Sequence, residues 1–246
     1  MEKTIAFLRW ELSSLTRLRL LLPLVAFMFF TSYLGSETSW TIQAAGTDIL
    51  FKAMAESVSR SSCMVLESIY LALAFFSVIL VSASLAGDMD TGILKCYLSL
   101  PMSRLEVFVA KAMASYILLL SAGLGAIYYR AVMFSPEIFL KLLVAAPFYI
   151  LQPGLFLALE LLFTFSVSLY FSVVSRRAWH ASLYSLLTLY LFYMVQFVVP
   201  GLRWYLPPYT FALGWAETVN ISYFTLFSML LTALSAYIFT RKLEVT

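Results

Sequence analysis

Charge is scarce in this chain. Only 12% of its 246 residues are charged and 62% are hydrophobic, whereas a water-soluble domain carries roughly 25% charge, so water is not the main solvent of this fold. Cysteine is nearly absent too: Cys63 and Cys96 are the only two. They show no spaced ligand pattern and fall on opposite sides of the membrane in the topology below, which argues against an internal disulfide and against structural zinc. His180 is the single histidine; without a Cys, Asp or second His beside it, it makes no metal site. No G-x-x-x-x-G-K-[ST] phosphate loop occurs, so the chain carries no nucleotide chemistry of its own. An intramembrane enzyme needs paired His, Asp, Ser or Glu groups at one depth, and Glu160 is the only acidic residue inside an apolar run.

What the chain does have is long uncharged runs. Leu20–Ser36, Ser68–Gly87, Ala112–Tyr129, Leu142–Ser175 (interrupted by Glu160), Ala178–Leu202 and Thr218–Thr240 each reach or approach the ~18–20 apolar residues that cross a bilayer as a helix. They predict an all-α, polytopic protein with six transmembrane helices, and residues 1–246 form one transmembrane domain. The first run follows a charged segment and lacks a small-residue cleavage site, so it reads as a span and not a signal peptide. With the N-terminus inside, Lys3, Arg9, Arg17, Arg19, Lys95, Arg104, Lys111, Arg176, Arg177, Arg241 and Lys242 are internal, against Lys52, Arg60, Arg130, Lys141 and Arg203 outside. This bias fits the positive-inside rule and places both termini in the cytoplasm of a plasma-membrane protein. It also accounts for the basic residues without nucleic acid.

Between the spans, residues 1–17 predict an amphipathic helix at the inner surface, with Ile5, Leu8, Leu12 and Leu15 on one stripe, or else an extension of the first span. Glu2, Lys3, Arg9 and Glu11 form its polar rim. The fourth run is too long for one straight span. Gln152, Pro153 and Gly154 mark a break, so Phe139–Leu151 is expected as an outer interfacial or re-entrant segment and Gly154–Val174 as the span. Residues 201–220 carry Pro207, Pro208, Trp204, Tyr205, Tyr209 and Trp215 and predict an outer hairpin at the membrane surface.

The most polar stretch, residues 88–104, reads DMDTGILKCYLSLPMSR. Asp88 or Asp90 can cap a helix over Thr91–Leu98, Pro101 ends it, and Ser103 with Glu106 is a capping box that starts the third span. A short helix thus lies crosswise between two long ones. Its apolar patch of Ile93, Leu94, Tyr97 and Leu98 either faces a partner or tucks beneath the protein's own spans. Arg104 sits at the interface, within reach of Asp88, Asp90 or a lipid phosphate.

From Gly92 to Lys111, GILKCYLSLPMSR with the later lysine resembles the signature of membrane subunits of the ABC-2 type transporter family. Gly92, Leu94, Leu98, Ser99, Pro101, Ser103, Arg104 and Lys111 match it; Asp88 and Asp90 stand where the family often has glutamate, Ile93 replaces threonine and Lys95 an acidic residue. YLPPYTFALG, residues 205–214, is similar to the family's outer loop before its last span. The resemblance implies a permease half whose coupling helix, Gly92–Leu98, docks on a separate cytoplasmic ATP-binding subunit. Pro101 sets its angle, ATP and Mg are held by that partner, and this chain binds no cofactor. It implies pairing with a second membrane subunit, identical or different, and export of a substrate. The alternative is a membrane scaffold or cargo-maturation subunit coupled to an ATPase without solute passage. Glu160 and, more weakly, Gln196 are the in-span candidates for a pathway or a subunit interface; for Glu160 the competing expectation is a solvated or internally bonded residue near the outer interface.

Overall fold

The computed structural model describes residues 2–16, 22, 25–27, 29–30, 69–99, 102–134, 136–175, 177–199, 201 and 218–242. Among them there are helices and no strands. In chain order they are α1 (Glu2–Thr16), α2 (Ile69–Asp90), α3 (Ile93–Leu98), α4 (Arg104–Phe134), α5 (Pro136–Ala145), α6 (Pro147–Val174), α7 (Ala178–Val198) and α8 (Thr218–Lys242). Four are long and apolar enough to cross a membrane: Ile69–Asp90, Arg104–Tyr129, Pro147–Val174 and Ser222–Arg241. Uncharged α7 has 21 residues, about 31 Å of helix, and lies beside them without being one of those four. Of the first predicted span only Leu22, residues 25–27 and residues 29–30 are described, and they are helical. Of the outer hairpin expected at residues 201–220, residues 202–217 lie outside the described residues, as do Pro101, Cys63 and the side chains of Leu98 and Gln196; residues 218–220 belong to α8.

The polarity of the bundle is that of a protein dissolved in lipid. Leu71 and Phe75 of α2, Val109 and Met113 of α4, Leu183, Leu187 and Leu191 of α7 and Leu226, Met229 and Leu230 of α8 are exposed. The interior meanwhile holds Ser77, Ser82, Ser84, Ser115, Thr164, Ser166, Ser168, Ser172, Ser185, Ser228 and Ser235. Most of these hydroxyls bond a carbonyl of the preceding turn, as Ser168 does to Thr164 (2.8 Å) and Ser185 to Ala181 (2.7 Å), so they are carried at little cost in an apolar medium.

Helix α6 is the central post, packed by α4, α7 and α8. Against α4 it runs antiparallel: the Tyr116 hydroxyl donates to the Ala158 carbonyl at 2.9 Å, the Tyr116 and Phe165 rings meet at 5.5 Å, and the Tyr128 hydroxyl donates to the Ile150 carbonyl. Close approach depends on Gly123, where an added Cβ would stand 2.9 Å from Leu157 Cδ2. That contact is one of small residues letting helices meet. Against α8, Phe163 packs on Phe224 (5.3 Å) and Phe227 (5.5 Å).

Two expected boundaries move. Pro153 does not break the fourth run; it lies inside α6, and the break is at Ala146 (φ −146°, ψ 61°) before Pro147. The reason is positional: Pro147 sits in the first turn, where its missing amide costs nothing, whereas Pro153 lies mid-helix and buried, beside Gly154, where an added Cβ would stand 3.0 Å from the Tyr128 hydroxyl of α4. In the polar passage, the helix of the second span continues through Asp90, so Asp88 and Asp90 are not caps for the short helix. The chain turns at Gly92 (φ +76°) and α3 starts at Ile93. Only glycine adopts that left-handed φ without strain. The capping box is present as predicted, with Ser103 N–H donating to Glu106 Oε2 (2.7 Å) and Glu106 N–H to Ser103 Oγ (3.2 Å).

Candidate functional site

Four elements, the distant α1 and the consecutive α2, α3 and α4, converge where α2 ends and α4 begins. Lys111, two turns into α4 and 1% exposed, donates to Glu11 Oε1 of α1 at 2.8 Å and to Asp88 Oδ2 of α2 at 2.6 Å. Glu11 Oε1 also accepts from Ser84 Oγ at 3.0 Å. The ammonium has three donors; beyond the two carboxylates it lies 4.8 Å from the Tyr97 ring centroid of α3, a cation–π contact. Phe7 and Trp10 of α1 meet the Tyr97 ring edge-on at 5.5 and 5.4 Å. The aromatic trio therefore roofs the ion cluster.

Local structure explains why Ser84 and Asp88 can both reach it. Ser82–Ala86 is a π turn, closed by the Gly87 N–H to Ser82 O. The extra residue turns the following face by about 100° relative to a regular helix. The same segment is pinned on its other side by the Ser82–Ser182 hydroxyl contact at 2.7 Å with α7. Burial of the pair in low dielectric is tolerable because each charge is partnered. The Tyr97 phenol feels the result: burial first, then the Asp88 and Glu11 carboxylates, push its pKa up to about 12.

The predicted site residues divide between two faces of α3. Leu94 is buried at 2% exposure and Tyr97 is half-buried over Lys111, so these two tuck beneath the protein and do not form an outward patch. Ile93, Lys95 and Cys96 are exposed. Asp90 is exposed. Asp88 pairs with Lys111 instead of Arg104, and Arg104 Nη1 donates to the Thr240 carbonyl at 3.2 Å, a cation on the last turn of α8, where the helix dipole favours it. Glu11, expected on a polar rim, is on the buried face of α1 with Phe7 and Leu15, while Ile5 is exposed. Sequence reasoning missed the pairing of Glu11 with Lys111; the signal was available in the Phe7, Glu11, Leu15 spacing, which shares a stripe.

Glu160 lies elsewhere. It is fully buried, and because α6 begins at Pro147 it is 13 residues, about 20 Å, from one end and 14 residues, about 21 Å, from the other. A ~30 Å hydrocarbon layer placed anywhere along this ~42 Å helix leaves Glu160 about 7 Å or more inside. The expected nearness to a helix start is therefore corrected. Tyr70 of α2 is within its electrostatic reach, and the Tyr70 ring stacks on Tyr193 of α7 at 6.0 Å.

No family model matches the chain, and no curated protein matches it either.

Proposed function

We propose that this chain is the membrane subunit of an ATP-driven transporter of the ABC-2 type. It has six spans with both termini in the cytoplasm of the plasma membrane, and works in export with a second membrane subunit. The observation that carries the reading is the mounting of α3. This helix of six residues is held between two spans after the turn at Gly92, its inward face locked by Leu94 and Tyr97 and its outward face presenting Ile93, Lys95 and Cys96. A loop that only turned the chain would need no such bracing. A rigid knob fixed to α1, α2 and α4 at once is what transmits a push from a docked ATP-binding subunit into the bundle.

On this reading the partner holds ATP and Mg, Ile93 and Lys95 meet its surface, and the Glu11–Lys111–Asp88 cluster passes its movement to two spans. The test is double substitution of the exposed face, Ile93→Glu with Lys95→Glu, in a chain co-expressed with its ATP-binding subunit. Co-purification and transport-coupled ATP hydrolysis are expected to be lost while membrane insertion and melting temperature stay unchanged. An intact complex with unchanged coupling contradicts the assignment. Leu94 and Tyr97 are unsuited to the test, since both belong to the protein's own packing.

A further inference from the structure

Where α2 passes α7, the two helices leave an apolar groove of about 360 Å³. They run antiparallel, since Ser82 meets Ser182 toward one end of the contact and Tyr70 stacks on Tyr193 toward the other. The walls are Leu71 and Phe75 of α2 and Leu183, Leu187 and Tyr190 of α7, all exposed. Ala74 and Leu189 also line it and are buried; Ala74 contributes only a methyl group.

Toward the end of the bundle that holds the ion cluster, the α7 wall passes into a different chemistry. Trp179, Leu183 and Leu187 follow at intervals of four residues on one stripe of the helix, and Trp179 is exposed. Trp179 packs on His180 at 4.9 Å and His180 stacks on Tyr184 at 6.2 Å, so the stripe ends in the aromatic side chains that favour a membrane–water boundary. Arg177, exposed, stands at the N-cap of α7, and no side chain caps that end. Arg176 precedes it in sequence, and no acidic residue occurs between Glu160 and Glu217. Among the described residues Arg177 has no ion-pair partner.

We propose that the α2–α7 groove binds a membrane phospholipid with an anionic headgroup, its acyl chain lying between Leu71, Phe75, Leu183 and Leu187 and its phosphate at Arg177. Size selects a hydrocarbon chain. The α7 lining from Leu183 to Tyr190 spans about 10 Å of helix, so the mean cross-section of the groove is about 35 Å², less than half that of a helix about 10 Å across. An alkyl chain enters such a groove, whereas a helix only covers it, and an unfilled groove forfeits its dispersion contacts. Charge selects the headgroup. A basic site at the end of a span attracts anionic lipid, and the α6–α7 turn has no acid to meet the ammonium of a zwitterionic one.

The inference does not rest on the transporter reading; only the naming of the leaflet as cytoplasmic rests on the orientation proposed above. The test reconstitutes the full-length chain in phosphatidylcholine vesicles with a trace of phosphatidylglycerol that carries a diazirine on its acyl chain. After illumination, adducts mapped by mass spectrometry are expected to concentrate on residues 71–75 and 183–190. Unlabelled phosphatidylglycerol is expected to displace them and added phosphatidylcholine is not. Arg177→Gln is expected to lower the yield there about fivefold, the factor for one basic residue at a lipid surface, and Arg177→Lys to restore most of it. Leu187→Trp, which fills the groove from an exposed position, is expected to remove the groove adducts while those on exposed Leu226 and Leu230 of α8 stay unchanged. Adducts spread evenly over α2, α7 and α8, or yields unchanged in both Arg177→Gln and Leu187→Trp, overturn the proposal. So does a groove closed by a second copy of the chain, read as disulfide-linked dimers of Leu187→Cys in a chain with Cys63→Ser and Cys96→Ser, with no adduct at residues 183–190.

Discussion

The molecule buries charge in two places and treats them differently. At the end where α2 meets α4, two carboxylates and a lysine close on one another within 2.8 Å under an aromatic roof. At Glu160, a fully buried carboxyl lies deep in α6, within electrostatic reach of the Tyr70 phenol. The first arrangement is a joint: it ties α1, α2, α3 and α4 together, and Lys111 is the charge both carboxylates depend on. Buried charge that is fully paired specifies structure, whereas an acid deep in an apolar helix is a candidate for function.

The sharpest way to break this contrast is Lys111→Met, which leaves Glu11 and Asp88 buried together. The expected loss is about 3–5 kcal/mol, seen as a large fall in melting temperature in detergent. Simultaneous Lys111→Met, Glu11→Leu and Asp88→Leu is expected to recover most of it, as apolar replacement of a whole buried cluster does. Next comes Gly92→Ala, which forces alanine into φ +76° with open space around the new Cβ. The cost is then backbone strain alone, about 1–2 kcal/mol, and α3 loses its register against Lys111. Smaller still is Glu11→Gln, about 1 kcal/mol, since the amide oxygen can still accept from Ser84 and Lys111. Its signature is faster amide hydrogen exchange over residues 2–16, with the α4–α6 contacts unchanged.

The mildest prediction concerns pH. The Tyr97 phenol ionises at about 12 against roughly 10 for an ordinary tyrosine. A raised pKa means the neutral form is favoured in the folded state, so its contribution is complete below about pH 10 and is lost as pH climbs through 12. The difference in phenolate absorbance between wild type and Tyr97→Phe should therefore appear near pH 12. Appearance near 10 would mean that the roof over Lys111 is open.

Much of this was legible in the sequence, and the parts that were not share a cause. The apolar runs, the Ser103–Glu106 capping box and the crosswise helix near Pro101 rest on local signals: hydrophobic length, spacing, punctuation by proline. Gly92 could be read as a helix residue because nothing local says that the second span persists to Asp90; the π turn at Ser82–Ala86 and its bonds to α1 and α7 decide that. Pro153 looked like a break for the same reason, yet it is buried inside α6, in the stretch that packs against α4. The ion cluster was invisible because Glu11 and Lys111 are 100 residues apart, and a charge on an amphipathic stripe reads as rim until its partner is known. Glu160 was found at once, since one acid in an apolar run needs no partner to be noticed, but its depth depended on where the helix starts.

If the outward face of α3 meets a cytoplasmic partner, Cys96, a free and exposed thiol on that face, reports on it directly. With Cys63→Ser in place, a membrane-impermeant thiol reagent is predicted to label Cys96 in inside-out vesicles, not in intact cells, and to be blocked when the ATP-binding subunit is bound. Labelling of Cys96 from outside intact cells, or undiminished labelling in the assembled complex, would contradict it.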